Sequence, residues 1–333
     1  MKDIVKLAMI STFVFLSCEK QDNMENVHKR VPLSVKAGIS IEPTTKAIVS
    51  GTTFPDGTKI GVQVLKNSDG NTYETGALTN IEFTYASANT SWSSSSGFNL
   101  SNTTGKVYAY HPYASQGTNY ALFNTIPATL PSEEENGNDT DYMYATPIIE
   151  ADKLVSNATG KNSASLTMNH ALAQISFVVY KENYPGSGSF TQFKIEDAAA
   201  TNWIILSKAV DDDLIMNITS GAITGGAKGI LTRNLSIPCI LSTTPPSADV
   251  NVLRTQVNAT ALVAPTSAIG AGEIKFTFTV DGKSSTASNT SSVTWERGKQ
   301  YIYKVKLSGT GLSISSVTVT DWTPSAGDDI VIN

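Results

Sequence analysis

The chain has 333 residues, room for one large or two ordinary domains, and a formal net charge of −5. Charged residues make up only 16% of it and Lys and Arg are dispersed, which excludes a nucleic-acid-binding footprint. Strong helix formers are scarce and Ser, Thr, Val, Ile, Tyr and Gly abundant, a balance that suits an all-β exported protein.

The chain starts with a basic stretch carrying Lys2 and Lys6, then the apolar run LAMISTFVFL at 7–16. That run is too short to span a bilayer as a helix, which needs about 20 residues, and fits a secretory signal. Ser17-Cys18 closes it and the charged CEKQDN follows. This reads as a lipoprotein signal over 1–17, cut between Ser17 and Cys18, with lipid on the Cys18 thiol. Residues 18–30 are polar and form a tether.

In VPLSVKAGISI (31–41), Val31, Leu33, Val35, Ala37, Ile39 and Ile41 fall on alternate positions. Period-two alternation predicts a strand with one apolar face. Its length is about 36 Å at ~3.3 Å per residue. Asp56-Gly57 marks a turn feeding a strand from Lys59. Further strands are expected over 81–85, 106–113 and 120–126, with an acidic loop at 131–141. Another is expected over SLTMNHALAQISFVVY, 165–180, and later ones over 202–208, 229–241, 252–259, 273–283, 300–308 and 314–322. Asp281-Gly282 is a hairpin signal. Pro245-Pro246 and the Ser/Thr-rich 285–293 read as loops. Many short strands with turns between them predict β-sandwiches. The polar SNATGKNSAS suggests a division near 160, giving units of 31–160 and 161–333.

Catalytic chemistry needs titratable groups that converge. His28 lies in the tether, His111 at a strand end before Pro112, and His170 at the head of an apolar strand. None has a neighbour at metal-ligand spacing. Asn136, Asn138, Asp139 and Asp141 form an oxygen-rich loop without calcium-loop spacing, which favours a solvated acidic loop over a cation site. Asp211, Asp212 and Asp213 read as a turn. The glycines of 223–229 do not match a phosphate-binding loop. Cys239, in LSIPCIL, has no partner if Cys18 carries lipid and reads as a buried, inert thiol. The chain reads as non-enzymatic, with no catalytic residues, no metal and no cofactor.

Several phrases resemble those of the Bacteroidetes fimbrillin-like pilin lipoproteins: FPDGTKIGV at 54–62, VYAYHPY at 107–113, DYMYA at 141–145, MNHALAQISFVV at 168–179, WERGKQYIYKVKL at 295–307 and VTVTDWTP at 317–324. The chain departs at TTKA (44–47), where relatives carry Thr-Arg-Ala, and at Thr58. The resemblance implies two tandem transthyretin-like, Greek-key β-sandwiches. It also implies export to the cell outer membrane as a lipid-anchored precursor. There a trypsin-like maturation protease would remove the first strand, and a strand of another fimbrial subunit would replace it as the surface fimbrium grows and mediates adhesion.

Candidate cut sites are Lys46, which would release residues 31–46, and Arg30, which would leave the strand in place. The expected donor is the C-terminal tail, with Val317, Val319, Trp322, Ile330 and Ile332. At about 1.5–3 kcal/mol per buried large side chain, refilling six sockets would yield on the order of 10 kcal/mol before entropy. Rival roles are a tip adhesin, an anchor subunit, or a glycan-binding surface lipoprotein. Exposed Tyr73 and Trp92, or the 131–141 loop, would then contact a host or bacterial surface ligand. Core packing is the competing expectation for Trp92 and Trp203.

Overall fold

The computed structural model describes residues 31–39, 54–71, 73, 80–115, 125–146, 150–198, 205–207, 214–225, 227–309 and 311–322. Ser17, Cys18, His28, Arg30, Ile41, Lys46, Trp203, Asp211, Asp212, Asp213, Ile330 and Ile332 lie outside the described residues. Within them the protein is almost entirely β; the short helix Val250–Thr255 and two single 3-10 turns are the exceptions.

The first large sheet runs, edge to edge, Ser34–Ile39, Ser163–His170, Met143–Thr146, Gly105–His111, Lys59–Lys66, Ile81–Ala86, Ser91–Ser93. Ile81–Ala86 alternates buried and half-buried residues, as a strand with one face on a core must. Its core contains Ile60, Val62, Phe83, Val107, Met143, Leu166 and Met168. The backbone at Gly61 admits no side chain, because a Cβ there would stand 2.2 Å from the Tyr110 ring. The expected Asp56-Gly57 turn is present: Gly57 has φ 78° and Asp56 Oδ1 accepts from Ser87 N at 2.8 Å.

Two further sheets face each other in the second half of the chain. One runs Ala259–Val263, Ala173–Lys181, Lys299–Ser308, Gly311–Asp321; the other runs Lys283–Ser288, Ile274–Val280, Ser189–Asp197, Ile230–Ile240, Glu133–Glu135. Phe177 is central to the core between them, with ring contacts to Phe193, Phe276, Phe278 and Tyr303.

Three expectations are corrected. The apolar run at 165–180 is not one strand. Ser163–His170 hydrogen-bonds in the first sheet and Ala173–Lys181 in the second half, so the strand breaks at Ala171-Leu172. Both residues are fully buried, which keeps the run apolar through the break and hides it from a periodicity argument. Residues 252–259 do not form a strand: the helix Val250–Thr255 precedes the strand Ala259–Val263. Asp249 caps the helix by accepting from Asn251 N and Val252 N, and Leu253 packs against Val178 and Ile302. Finally, Lys283–Ser288 is a strand rather than a loop. Asp281 and Gly282 both have positive φ, the conformation of a tight hairpin turn, and they hold it in register against Ile274–Val280.

The two halves also trade elements. Thr125–Pro127 pairs with Ile215–Asn217, and Glu133–Glu135 pairs in parallel with Ile230–Ile240. A third core, with Tyr110, Ile126, Tyr142, Leu172, Leu262 and Trp322 among its members, fills the joint between the halves.

Candidate functional site

The first strand lies in two sheets. Val31 and Pro32 pair with Leu100 and Asn99. Leu33 N then donates to Phe98 O at 2.9 Å, and Ser34 N donates to Asn162 O at 2.8 Å. From Ser34 to Ile39 the chain runs parallel to Ser163–Met168. On its other side, Trp92 Nε1 donates to Ala37 O at 3.0 Å, so the strand is bridged to the opposite end of the first sheet.

Its described side chains alternate between the core and solvent. Leu33 is 7% exposed and Val35 2%, both in the first core. Val31 and Ala37 are half-buried, while Pro32, Ser34, Lys36 and Gly38 face solvent. At about 1.5–3 kcal/mol each, Leu33 and Val35 contribute about 3–6 kcal/mol. Among the described residues this strand has one ladder neighbour along 34–39, and that ladder is parallel.

Direction fixes where the groove ends. Ile39 is paired with Met168, two residues from His170. The His170 ring is stacked on Trp322 at 4.0 Å between centroids. Trp322 is therefore at the joint end of the groove, and it is itself buried in the joint core. Of the expected donor residues, Val317 and Val319 sit on the outer edge strand Gly311–Asp321, 39% and 56% exposed. Trp322 is taken up by its own chain.

The 131–141 loop is only partly solvated: Glu133, Glu135 and Asn138 are exposed, whereas Asp139 and Asp141 are buried and bonded to different partners. Asp139 is buried and gripped by Arg233, which is also fully buried: Nη2 donates to Oδ1 at 2.5 Å and Nε donates at 3.1 Å. Asp139 Oδ2 also accepts from Leu262 N at 3.2 Å. Burial pushes the Asp139 carboxyl up while the guanidinium opposes it. Asp141 Oδ2 lies 2.8 Å from His170 Nδ1. Asn136 Oδ1 accepts from Thr260 N, and Asn138 Nδ2 donates to Glu135. The loop is a clasp between the halves. Acidic residues next to a buried Arg were the available signal, but Asp139 and Arg233 stand far apart in sequence.

His111 Nδ1 lies 2.9 Å from Lys59 O, and burial lowers its basicity while the nearby Asp141 opposes the shift. Tyr73 and Trp92 are buried in the first core, as the competing expectation has it for Trp92, which removes them from any ligand surface. Cys239 is half-buried against the second core, with Asn258 Nδ2 3.4 Å from its Sγ. No helix among the described residues is long and apolar enough to cross a membrane.

The fold has solved counterparts. A candidate cell adhesion protein of Bacteroides uniformis superposes with a TM-score of 0.58 at 17% identity, over 88% of this chain and 99% of that one. A candidate cell adhesion protein of Bacteroides ovatus gives 0.60 at 13% identity, over 89% and 99%. A fimbrial protein of Bacteroides vulgatus gives 0.51 at 14% identity, over 88% and 100%. At these identities the likeness is one of fold. No curated protein matches the chain in sequence. The fimbrillin-like family model matches residues 45–322, from just before Lys46 to the buried Trp322. The chain belongs to the fimbrillin-like family.

Proposed function

We propose that the chain is a structural subunit of a cell-surface fimbria, built from tandem transthyretin-like units and assembled by proteolytic removal of its first strand and donor-strand exchange. It travels to the outer membrane as a precursor with lipid on Cys18. A trypsin-like protease cuts after Lys46, and a strand of another subunit takes the emptied groove. The reading rests above all on the seating of strand 31–39. Leu33 and Val35, the parallel ladder over 34–39, the short pairing of Val31-Pro32 and the Trp92 hydrogen bond hold it at the sheet edge, so its loss would open an apolar trough and a sheet edge without dismantling the core. Open edges of that kind recruit strands from other chains. The start of the family match at residue 45 supports a mature chain beginning in that region. The donor is the C-terminal tail, carrying Ile330 and Ile332, with the exposed Val317 and Val319 on its adjoining strand.

Limited trypsin treatment of purified precursor tests this reading. The expected product starts at Ala47 and forms SDS-resistant multimers. A product cut there that stays monomeric rules out a polymerising subunit. An N-terminus of Cys18 on intact cells would instead mark a capped or anchoring role, with the first strand and the lipid both retained.

A further inference from the structure

The end of the second half opposite the joint carries a cleft of about 720 Å³, within the size range of small-molecule sites. Three turns enclose it: the loop around 184–187, the hairpin at Asp281-Gly282, and the turn from Ser308 to Gly311. Strand Lys299–Ser308 starts at the joint, where Gly298 N donates to Leu172 O, and ends at this cleft. Its ten residues span about 33 Å, so the cleft is remote from the first-strand groove.

One wall is preorganised. Asp281 accepts from Tyr184 Oη at 3.0 Å, from Gly188 N and Ser189 N at 2.9 Å each, and from Ser187 Oγ. These donors hold its carboxyl well below the usual range, the Ser187 hydroxyl foremost, so it stays ionised with its charge directed into the loop. The loop can close this tightly because residue 186 is Gly; a Cβ there would stand 2.3 Å from Asp281 Oδ2. The Tyr184 ring is thereby fixed against the cleft. Lys181 Nζ donates to Ser187 O at 2.6 Å and closes the loop from behind. Outside the lining, Glu182 and Lys306 neutralise each other at 2.9 Å. Against the single Asp281, Lys181 and Lys283 leave one positive charge, and Lys283 is the exposed one, lining the cleft beside the Ser285 and Ser308 hydroxyls.

A fixed aromatic flank, the Ser285 hydroxyl, the Ser308 oxygen as an acceptor (its proton goes to Gly311 O at 3.1 Å) and one exposed ammonium match a sugar ring bearing a carboxylate. The ring's C–H face lies on the aromatic, its hydroxyls pair with the serines, and its carboxylate meets the ammonium. We infer that this distal cleft is a binding site for acidic saccharides, with Lys283 reading the carboxylate and Tyr184 supporting the ring.

The full chain is titrated by calorimetry with 3′-sialyllactose, with tri-galacturonate, and with lactose as the neutral control. Saturable binding of at least one acidic sugar is expected, with lactose weaker by about tenfold, the worth of one charge-assisted hydrogen bond. Lys283→Gln should weaken the acidic sugar by about tenfold and bring it level with lactose, at an unchanged thermal midpoint. No binding of either acidic sugar overturns the inference, as does equal affinity in Lys283→Gln. Cleavage and multimer formation, measured in parallel, should be untouched by Lys283→Gln, which separates this result from the assembly reading.

Discussion

Trp322 lies flat on His170, ring centroids 4.0 Å apart and planes 12° apart. Asp141 holds the edge of that imidazole through Nδ1, so the end of strand Ser163–His170, the 131–141 loop and the last described residue meet in one buried cluster. The stack also sets the geometry of the assembly reading. A tail leaving Trp322 starts from the end of the first-strand groove where Ile39 sits.

Trp322→Ala should therefore loosen the joint. Loss of a buried Trp costs about 3–5 kcal/mol. Denaturant unfolding should show that loss, and amide exchange should accelerate along Thr318, Val319 and Thr320. Unchanged exchange there would mean that the Trp322 stack does not anchor the strand.

Arg233→Met should leave Asp139 as a buried carboxylate without its cation, at a cost of about 3–5 kcal/mol. The double variant Arg233→Met/Asp139→Leu should recover part of the loss, because an apolar pair carries no charge desolvation cost although Leu262 N loses its acceptor. Equal destabilisation in single and double variants, read from denaturation midpoints, would sink the clasp assignment.

Val35→Asp should weaken the seat of the first strand by about 3 kcal/mol, from lost apolar burial and a carboxylate without a partner. The precursor should then unfold earlier than the unaltered precursor. After cleavage at Lys46 the two proteins are chemically identical, and the difference should vanish. A difference that survives cleavage would show that the strand had not been released.

Alkali should act through the buried phenols. Burial pushes Tyr110 up to about 12, against hydrogen bonds to Ala114 and Asn80, and Tyr303 is raised further in the second core. A pKa raised by folding gives stability that is full below the ordinary phenol value, about pH 10, and lost as pH rises through about 12. Denaturation midpoints should fall above pH 10, less steeply in Tyr110→Phe. Parallel slopes for the two proteins would remove Tyr110 as the cause.

Much of this protein is set by local pattern. The alternation over 31–39 sends Leu33 and Val35 inward whatever surrounds them, since side chains on a strand alternate by geometry. The turns at Asp56-Gly57 and Asp281-Gly282 are equally local, because they need backbone conformations that Asp and Gly tolerate. All-β character follows from the same short-range preferences. Local pattern did not carry the helix at Val250–Thr255, where Asp249 and the gap over Val178 and Ile302 outweigh β-branched composition.

Only the tertiary structure decided which sheet each strand joined and what the polar residues met. The break at Ala171-Leu172 lies inside a continuous apolar run, because both residues are buried at the joint. Asp139 meets Arg233, and Asp141 meets His170, through chain closures that no spacing rule encodes. The distal cleft arises likewise from three turns that converge only after the two sheets pack. Sequence periodicity constrains the direction of a side chain relative to its own strand. The partner on the far side is chosen by long-range packing.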